Sequence, residues 1–118
     1  MVAMDLEDEP YRFGFTVEER HCNRMRVCHG GMLSTLADIG MGVNANTLSD
    51  FNDPTPTISL SVDFIAAAAV GDWIETRTSV LRITRSLCFV EGRLIGPRGA
   101  VARCNATFKR RNATASAA

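Results

Sequence analysis

What this chain of 118 residues lacks removes several classes of function. No apolar run approaches the roughly 20 residues that a membrane-spanning helix needs, so no membrane partner is expected. Its 13 basic and 13 acidic residues cancel, and no basic stripe interleaved with aromatics is present, so the electrostatic footprint of a nucleic-acid binder is missing. The four cysteines, Cys22, Cys28, Cys88 and Cys104, form no CxxC pair and no dense framework, which fits a reducing compartment better than a disulfide-stapled fold. The opening MVAMDLEDEP is acidic where a secretory or mitochondrial leader is basic, and the expected location is cytoplasmic. His21, Cys22, Cys28 and His29 are all of zinc-ligand type, but two adjacent-residue pairs do not easily close a tetrahedron, and no metal is expected.

The length suits one domain with a real core and is too short for two ordinary ones. Residues 1–10, acidic and Pro-terminated, and 112–118, small and polar, are expected to fray, which leaves a single domain over residues 11–111. Phe13–Val17 reads as a short first strand, and the polar EERHCNRMRVCH after it as a loop. From Gly30 to about Thr47, Met32, Leu36, Ile39 and Val43 recur at helical spacing, and Leu33, Ala37, Gly40 and Ala45 widen the apolar surface almost all round. That pattern predicts an enclosed helix, and the tolerance of Gly40 and Gly42 within it predicts another backbone close by.

Thr57–Ile65 then alternates, with Ile58, Leu60, Val62 and Phe64 on one face and Thr57, Ser59, Ser61 and Asp63 on a wet one. Three further β-leaning runs follow, Trp73–Ile83, Leu87–Ile95 and Ala100–Arg110, separated by TRS and GPRG. Short connections predict an antiparallel meander. The economical way to bury these elements is an α+β domain of hotdog shape, a curved antiparallel β-sheet wrapped around one long central helix.

Within that helix Asp38 is the sole formal charge between Arg26 and Asp50. An ionised carboxylate in an apolar setting costs several kcal/mol unless it is paired, hydrogen-bonded or protonated, so Asp38 is the first place to look for chemistry.

Asn23, six residues before His29-Gly30-Gly31, together with Asp38 nine residues after that histidine, resembles the pattern of hotdog-fold acyl-CoA thioesterases of the phenylacetate-pathway type. In that family a Ser or Thr opens the next strand seven residues before an aromatic, and a Gly-Asp follows; Thr57, Phe64 and Gly71-Asp72 occupy those places. The likeness spans most of residues 12–110. It departs from the family at Ala66–Ala69, where Pro and a basic residue are usual.

Hydrolysis of a thioester needs a donor for the oxygen that becomes negative and a carboxylate that activates water or attacks the carbonyl itself. The unpaired N–H of Gly30, at the positive end of the helix, can serve as the donor, and the absent side chain lets a substrate approach there and at Gly31. The Asn23 amide is a second donor or orients the water. His29 could be a ligand, a base or the residue that shapes the helix entry, and the last is favoured. The eight residues from Gly30 to Asp38 span roughly 12 Å of helix. For both to act on one carbonyl they must come from different subunits of a dimer, with two antiparallel helices across a two-fold axis. The resemblance implies the same homodimer, with Thr57 beside Asp38 holding the water.

The resulting expectation is a homo-oligomer, dimer or dimer of dimers, that hydrolyses an acyl- or aryl-CoA thioester to the free acid and coenzyme A. Asp38, Gly30, Asn23, Thr57 and His29 form the site, and no cofactor is needed because coenzyme A is part of the substrate. Arg98, Lys109, Arg110 and Arg111 are cations available to its phosphates, or else a hairpin tip and a solvated strand end. Met32, Met41, Phe51 and Phe64 are candidates for the acyl pocket. The rivals are a hotdog acyl-thioester hydratase or dehydratase, which would pair a His with an acid, and a non-catalytic acyl-CoA-binding module, which would be expected to have lost the carboxylate.

Overall fold

The computed structural model describes residues 2–4, 9–49 and 56–110. The expectations for Phe51, for Arg111 and for residues 112–118 lie outside them. In chain order come β1 (Val2–Met4), β2 (Arg12–Thr16), a 3-10 turn (Glu19–His21), α1 (Gly30–Leu48), β3 (Thr57–Phe64), β4 (Trp73–Ile83), β5 (Leu87–Gly96) and β6 (Gly99–Lys109). The strands form one antiparallel sheet in the order β1-β2-β4-β5-β6-β3, with α1 packed across it. This is the hotdog architecture.

The core lies between helix and sheet. Alternation along β6 sends Ala102, Cys104, Ala106 and Phe108 inward, where they meet Cys88, Val90 and Leu94 of β5 and Ile74 of β4. From α1, Leu33, Leu36, Ala37, Gly40, Met41, Asn44 and Ala45 turn toward them. The expected close approach occurs, although side chains rather than backbone make it. A Cβ on Gly40 would fall 2.7 Å from the Thr76 side chain, and one on Gly42 would fall 3.3 Å from the Phe108 ring.

Four features differ from the sequence reading. The meander is confined to β4, β5 and β6, because β3 crosses to the far edge and pairs with β6 instead of β4. Pairing also extends into the segment expected to fray: Val2–Met4 add to β2, and Glu9 is buried with its carboxylate accepting from the N–H and hydroxyl of Thr78. The helix is not enclosed all round, since Gly31 and Thr35 are exposed and Asp38 is half-buried within a single chain. Finally, the apolar face of β3 stays open, with Ile58 and Phe64 each 55 % and Leu60 36 % exposed. One sheet covers only one side of a helix, and an edge strand has a neighbour on only one side.

A β-bulge in β3 has a direct bearing on the site. The register shifts between Thr57 and Ser59, so that Thr57 pairs with Phe108 while Ser59 pairs with Thr107. Paired residues on antiparallel strands share a face, and Phe108 points into the core. The extra residue thus carries Thr57 off the polar face it was assigned by alternation and turns it toward α1.

Asn44, buried toward the C-terminal end of the helix, ties the chain entry to the sheet: its Oδ1 accepts from Tyr11 N–H at 2.9 Å, and its Nδ2 donates to Tyr11 O at 2.8 Å and to Thr78 Oγ1 at 2.7 Å. Because Gly40 sits against Thr76 with no space for a methyl group, Gly40→Ala is expected to destabilise the fold by about 1–2 kcal/mol. Overpacking of about 1–3 kcal/mol outweighs the helix propensity gained. Urea denaturation checks this, and an unchanged midpoint would contradict the close packing.

Candidate active site

The start of α1 is held by backbone bonds on two sides. Cys28 N–H donates to Ala68 O at 2.8 Å, and His29 N–H donates to His21 O at 2.8 Å. His29 is the N-cap residue, and its carbonyl receives Met32 N–H at 3.1 Å and Leu33 N–H at 3.2 Å. Its role is therefore at the helix entry, through backbone atoms, and its side chain is exposed. The N–H groups of Gly30 and Gly31 have no acceptor among the described residues, which leaves two donors at the positive end of a 19-residue helix.

Those two glycines have different surroundings. A Cβ on Gly30 would meet the Phe64 ring at 2.9 Å, whereas one on Gly31 would meet nothing within 4 Å. A cavity of about 350 Å³ opens beside Gly30, walled by Val27, Cys28, Leu33, Phe64 and the Ala66–Ala68 segment. Its walls carry no charged side chain. Of the other acyl-pocket candidates, Met41 is in the core and Met32 packs at its margin, and neither lines this cavity. A separate cavity of about 400 Å³ lies on the sheet among Arg77, Glu91, Arg93 and Arg103, and contains none of the expected site residues.

Asn23 begins the tight loop that precedes the helix. Its Oδ1 accepts from Met25 N–H at 2.9 Å and Val27 N–H at 3.3 Å, and the loop closes through Arg26, which adopts a left-handed φ of 61°. With the carbonyl half of the side chain holding the loop, the amide half remains as a donor.

Two turns further along the helix, Thr57 Oγ1 donates to Asp38 Oδ1 at 2.8 Å. The bulge in β3 makes this contact, and it leaves the other carboxylate oxygen without a donor among the described residues. Within one chain, then, the structure brings Asp38 and Thr57 together, places Gly30 about 12 Å along the helix from Asp38, and places Asn23 in the loop before Gly30.

Two of the candidate cations, Arg98 and Arg110, have side-chain partners elsewhere. Arg98, in the turn between β5 and β6, binds the Asp72 carboxylate at the start of β4. Lys109 ends β6, where its backbone N–H donates to Pro56 O at 2.9 Å and so helps seat the start of β3. Arg110 donates to Thr84 O at 3.0 Å and to Ser49 O at 3.3 Å, a cation at the C-terminal end of α1, where it offsets the helix dipole. Neither the Arg98–Asp72 pair nor the Phe64 ring over Gly30 was foreseen. Gly71-Asp72 read as a turn signal and a motif element, and Phe64 as the motif's aromatic and an acyl-pocket candidate, with neither of these partners named.

The family model of the thioesterase superfamily matches residues 25–103, more than half of the chain, from just after Asn23 into β6. The chain belongs to the thioesterase superfamily. A Pseudomonas aeruginosa protein named provisionally as an esterase is 37% identical over 92 residues, 78% of this chain and 69% of its own length. Mouse acyl-coenzyme A thioesterase 13 is 26% identical over 73 residues, 62% of this chain but only 51% of the mouse protein. Among solved structures, a single-residue variant of the phenylacetic acid degradation protein PaaI from Thermus thermophilus superposes with a TM-score of 0.83. It is 21% identical, over 93% of this chain and 92% of that one. Thioester hydrolysis is thus the reaction class of this superfamily member.

Within this thioesterase fold the Arg98–Asp72 pair closes the base of the sheet. The Arg98 guanidinium, and after it the Ala69 N–H, hold the Asp72 carboxyl below the usual carboxylate range. Its folded pKa is depressed, so the stability it adds is present above the unfolded pKa of about 4 and is lost as pH falls through the lower folded value. Arg98→Met should cost about 1 kcal/mol at pH 7, a modest amount because the arginine is exposed. The difference from the wild-type chain should close below about pH 4. Thermal unfolding across pH checks this, and a gap that stayed constant down to pH 2 would refute the linkage.

Proposed function

We propose that the chain hydrolyses an acyl- or aryl-CoA thioester at two identical sites, each shared between the subunits of a homodimer. The observation that carries the reading is the Thr57–Asp38 hydrogen bond on the half-open side of a helix whose free donors lie about 12 Å away. In each site the carbonyl oxygen is received by Gly30 N–H and the Asn23 amide of one subunit. Asp38 of the other subunit activates water or attacks the carbonyl, with Thr57 fixing the carboxylate. The Gly31 position, open in the single chain, gives the substrate room to approach.

Two features support a dimer of this kind. Gly31, Thr35 and Asp38 present a small, polar, open strip along the helix, and the neighbouring edge strand β3 leaves Ile58, Leu60 and Phe64 uncovered. Burying both against a second copy with antiparallel helices would bring Gly30 of one chain to Asp38 of the other. The name of the mouse relative supports coenzyme A as the leaving thiol. The apolar cavity beside Gly30 supports an uncharged group lying there. The hydratase rival needs a His paired with an acid, whereas His21 Nδ1 accepts Glu18 N–H at 2.9 Å within its own turn.

Asp38→Asn keeps the shape and the Thr57 contact but removes the base. It is expected to lower kcat/KM for acyl-CoA hydrolysis by about 10²–10⁴-fold, with an unchanged oligomer by light scattering. Unchanged turnover would sink the assignment. Sharing of the site has its own test. Asp38→Asn and Asn23→Ala chains, each impaired alone, should regain up to about a quarter of wild-type activity when unfolded and refolded together, because half of the dimers then hold one intact site. No recovery despite proven mixed dimers would place both residues in the same site of one chain.

A further inference from the structure

Cys22 and Cys28 face each other across an isolated antiparallel bridge. The bonds on either side define its kind: Asn23 N–H donates to Val27 O at 3.0 Å and His29 N–H donates to His21 O at 2.8 Å, so the two cysteines form the pair without hydrogen bonds between them. Such pairs hold their Cα atoms about 4.5 Å apart with the side chains close together on one face. A disulfide bridges Cα separations of about 4.4–6.8 Å, so this pair can close without moving the backbone far. Both are free thiols in the structure. Cys22 is half-exposed, and Cys28, at 5 % exposure, is buried behind it. Burial, with the neighbouring Cys22 thiol as a second cause, pushes the Cys28 thiol up to about 11, a sign that the two sulfurs are within electrostatic reach.

We propose that Cys22 and Cys28 are a redox modification site, a reversible disulfide that ties the Asn23 loop to the start of α1. The oxidant class is a peroxide, with hydrogen peroxide as the simplest case. The Cys22 thiolate attacks one peroxide oxygen; the S–O bond forms, the O–O bond breaks, and the hydroxide that leaves takes up a proton to become water. Cys28 then gives up its proton and attacks the sulfenic sulfur of Cys22. The S–S bond forms, the S–O bond breaks, and the departing hydroxide leaves as a second water. Two thiols have lost two electrons and the peroxide has gained them. A thiol reductant reverses the step by exchange.

The position of the pair gives the modification a consequence, which rests on the function proposed above. Cys22 immediately precedes Asn23, Cys28 immediately precedes His29-Gly30, and Cys28 is in the wall of the cavity beside Gly30. Closing the bond draws the Cys28 side chain toward Cys22 and shifts both proposed donors. Displacements on the order of 1 Å at a reacting centre can cost about 10²-fold in rate, so a fall in turnover of about tenfold or more is expected on oxidation.

The experiment is a tryptic map of the full chain after treatment with hydrogen peroxide and alkylation. Trypsin cuts at Arg20, Arg24, Arg26 and Arg77, so residues 21–24 and 27–77 separate in the reduced protein and remain joined in the oxidised one. The expected result is that joined species, lighter by two hydrogens than its parts, lost on adding dithiothreitol and absent from Cys22→Ser. Cys104→Ser should still form it. Four alkylated thiols after oxidation, or a Cys22 oxidised further without the link, would overturn the proposal whatever the enzyme activity. If the link forms and turnover of an acyl-CoA is unchanged, the bond exists but its control of the donors is refuted. Turnover that falls with the link, returns with dithiothreitol and stays constant in Cys22→Ser upholds both parts.

Discussion

The rigidity of α1 between Gly30 and Asp38 is the constraint on which the rest of the site depends. A helix is a rod of fixed rise, and this one has no slack with which to bend. Its start is bonded to the His21 and Ala68 carbonyls, its middle rests with Gly40 on Thr76, and its end is held by Arg110. The donor end and the carboxylate therefore stay about 12 Å apart within one chain. Any substrate atom that feels both must be reached by a second helix.

Much of this was legible in the sequence because the signals were periodic or punctuated. The helix start at His29-Gly30-Gly31, the strand limits of Trp73–Ile83 and the turn at Gly96–Gly99 each combine a change of period with glycine, and they appear in the structure within a residue or two. The Thr57–Asp38 contact was implied by the family resemblance and could not have come from alternation, which put Thr57 on the outer face. A bulge is a register event between two strands, and one strand's pattern does not record it. The place of β3 at the sheet edge was hidden for a related reason: pairing partners distant in sequence leave no local trace. Asn44 is a further case. The helical pattern did not single it out, because its partners, Tyr11 and Thr78, are 33 and 34 residues away.

The energetic puzzle of Asp38 also changes form. A charge buried in an apolar helix would have needed strong compensation, yet in the single chain Asp38 is half-buried and already bonded to Thr57. In the proposed dimer the desolvation cost is deferred to association, when a second helix covers the same strip. That cost falls where water must be excluded for the carboxylate to act strongly on a carbonyl. The same packing step that makes the carboxylate expensive then makes it effective.

Whether association can bear such a cost depends on what else it buries. Fully burying an aliphatic or aromatic side chain contributes about 1.5–3 kcal/mol. Ile58, Leu60, Phe64 and Ile65 are already about half covered, with exposures of 55 %, 36 %, 55 % and 56 %. Each copy therefore stands to gain roughly 3–6 kcal/mol from this edge, and two copies roughly 6–12 kcal/mol. The cost of bringing two bodies together is itself about 4–15 kcal/mol, so the apolar edge alone does little more than break even. A stable dimer has to draw its surplus from main-chain pairing along the edges of β3 and from contact between the open helix faces that carry Gly31 and Asp38. The groups proposed for catalysis thus lie in the part of the interface whose fit decides between monomer and dimer.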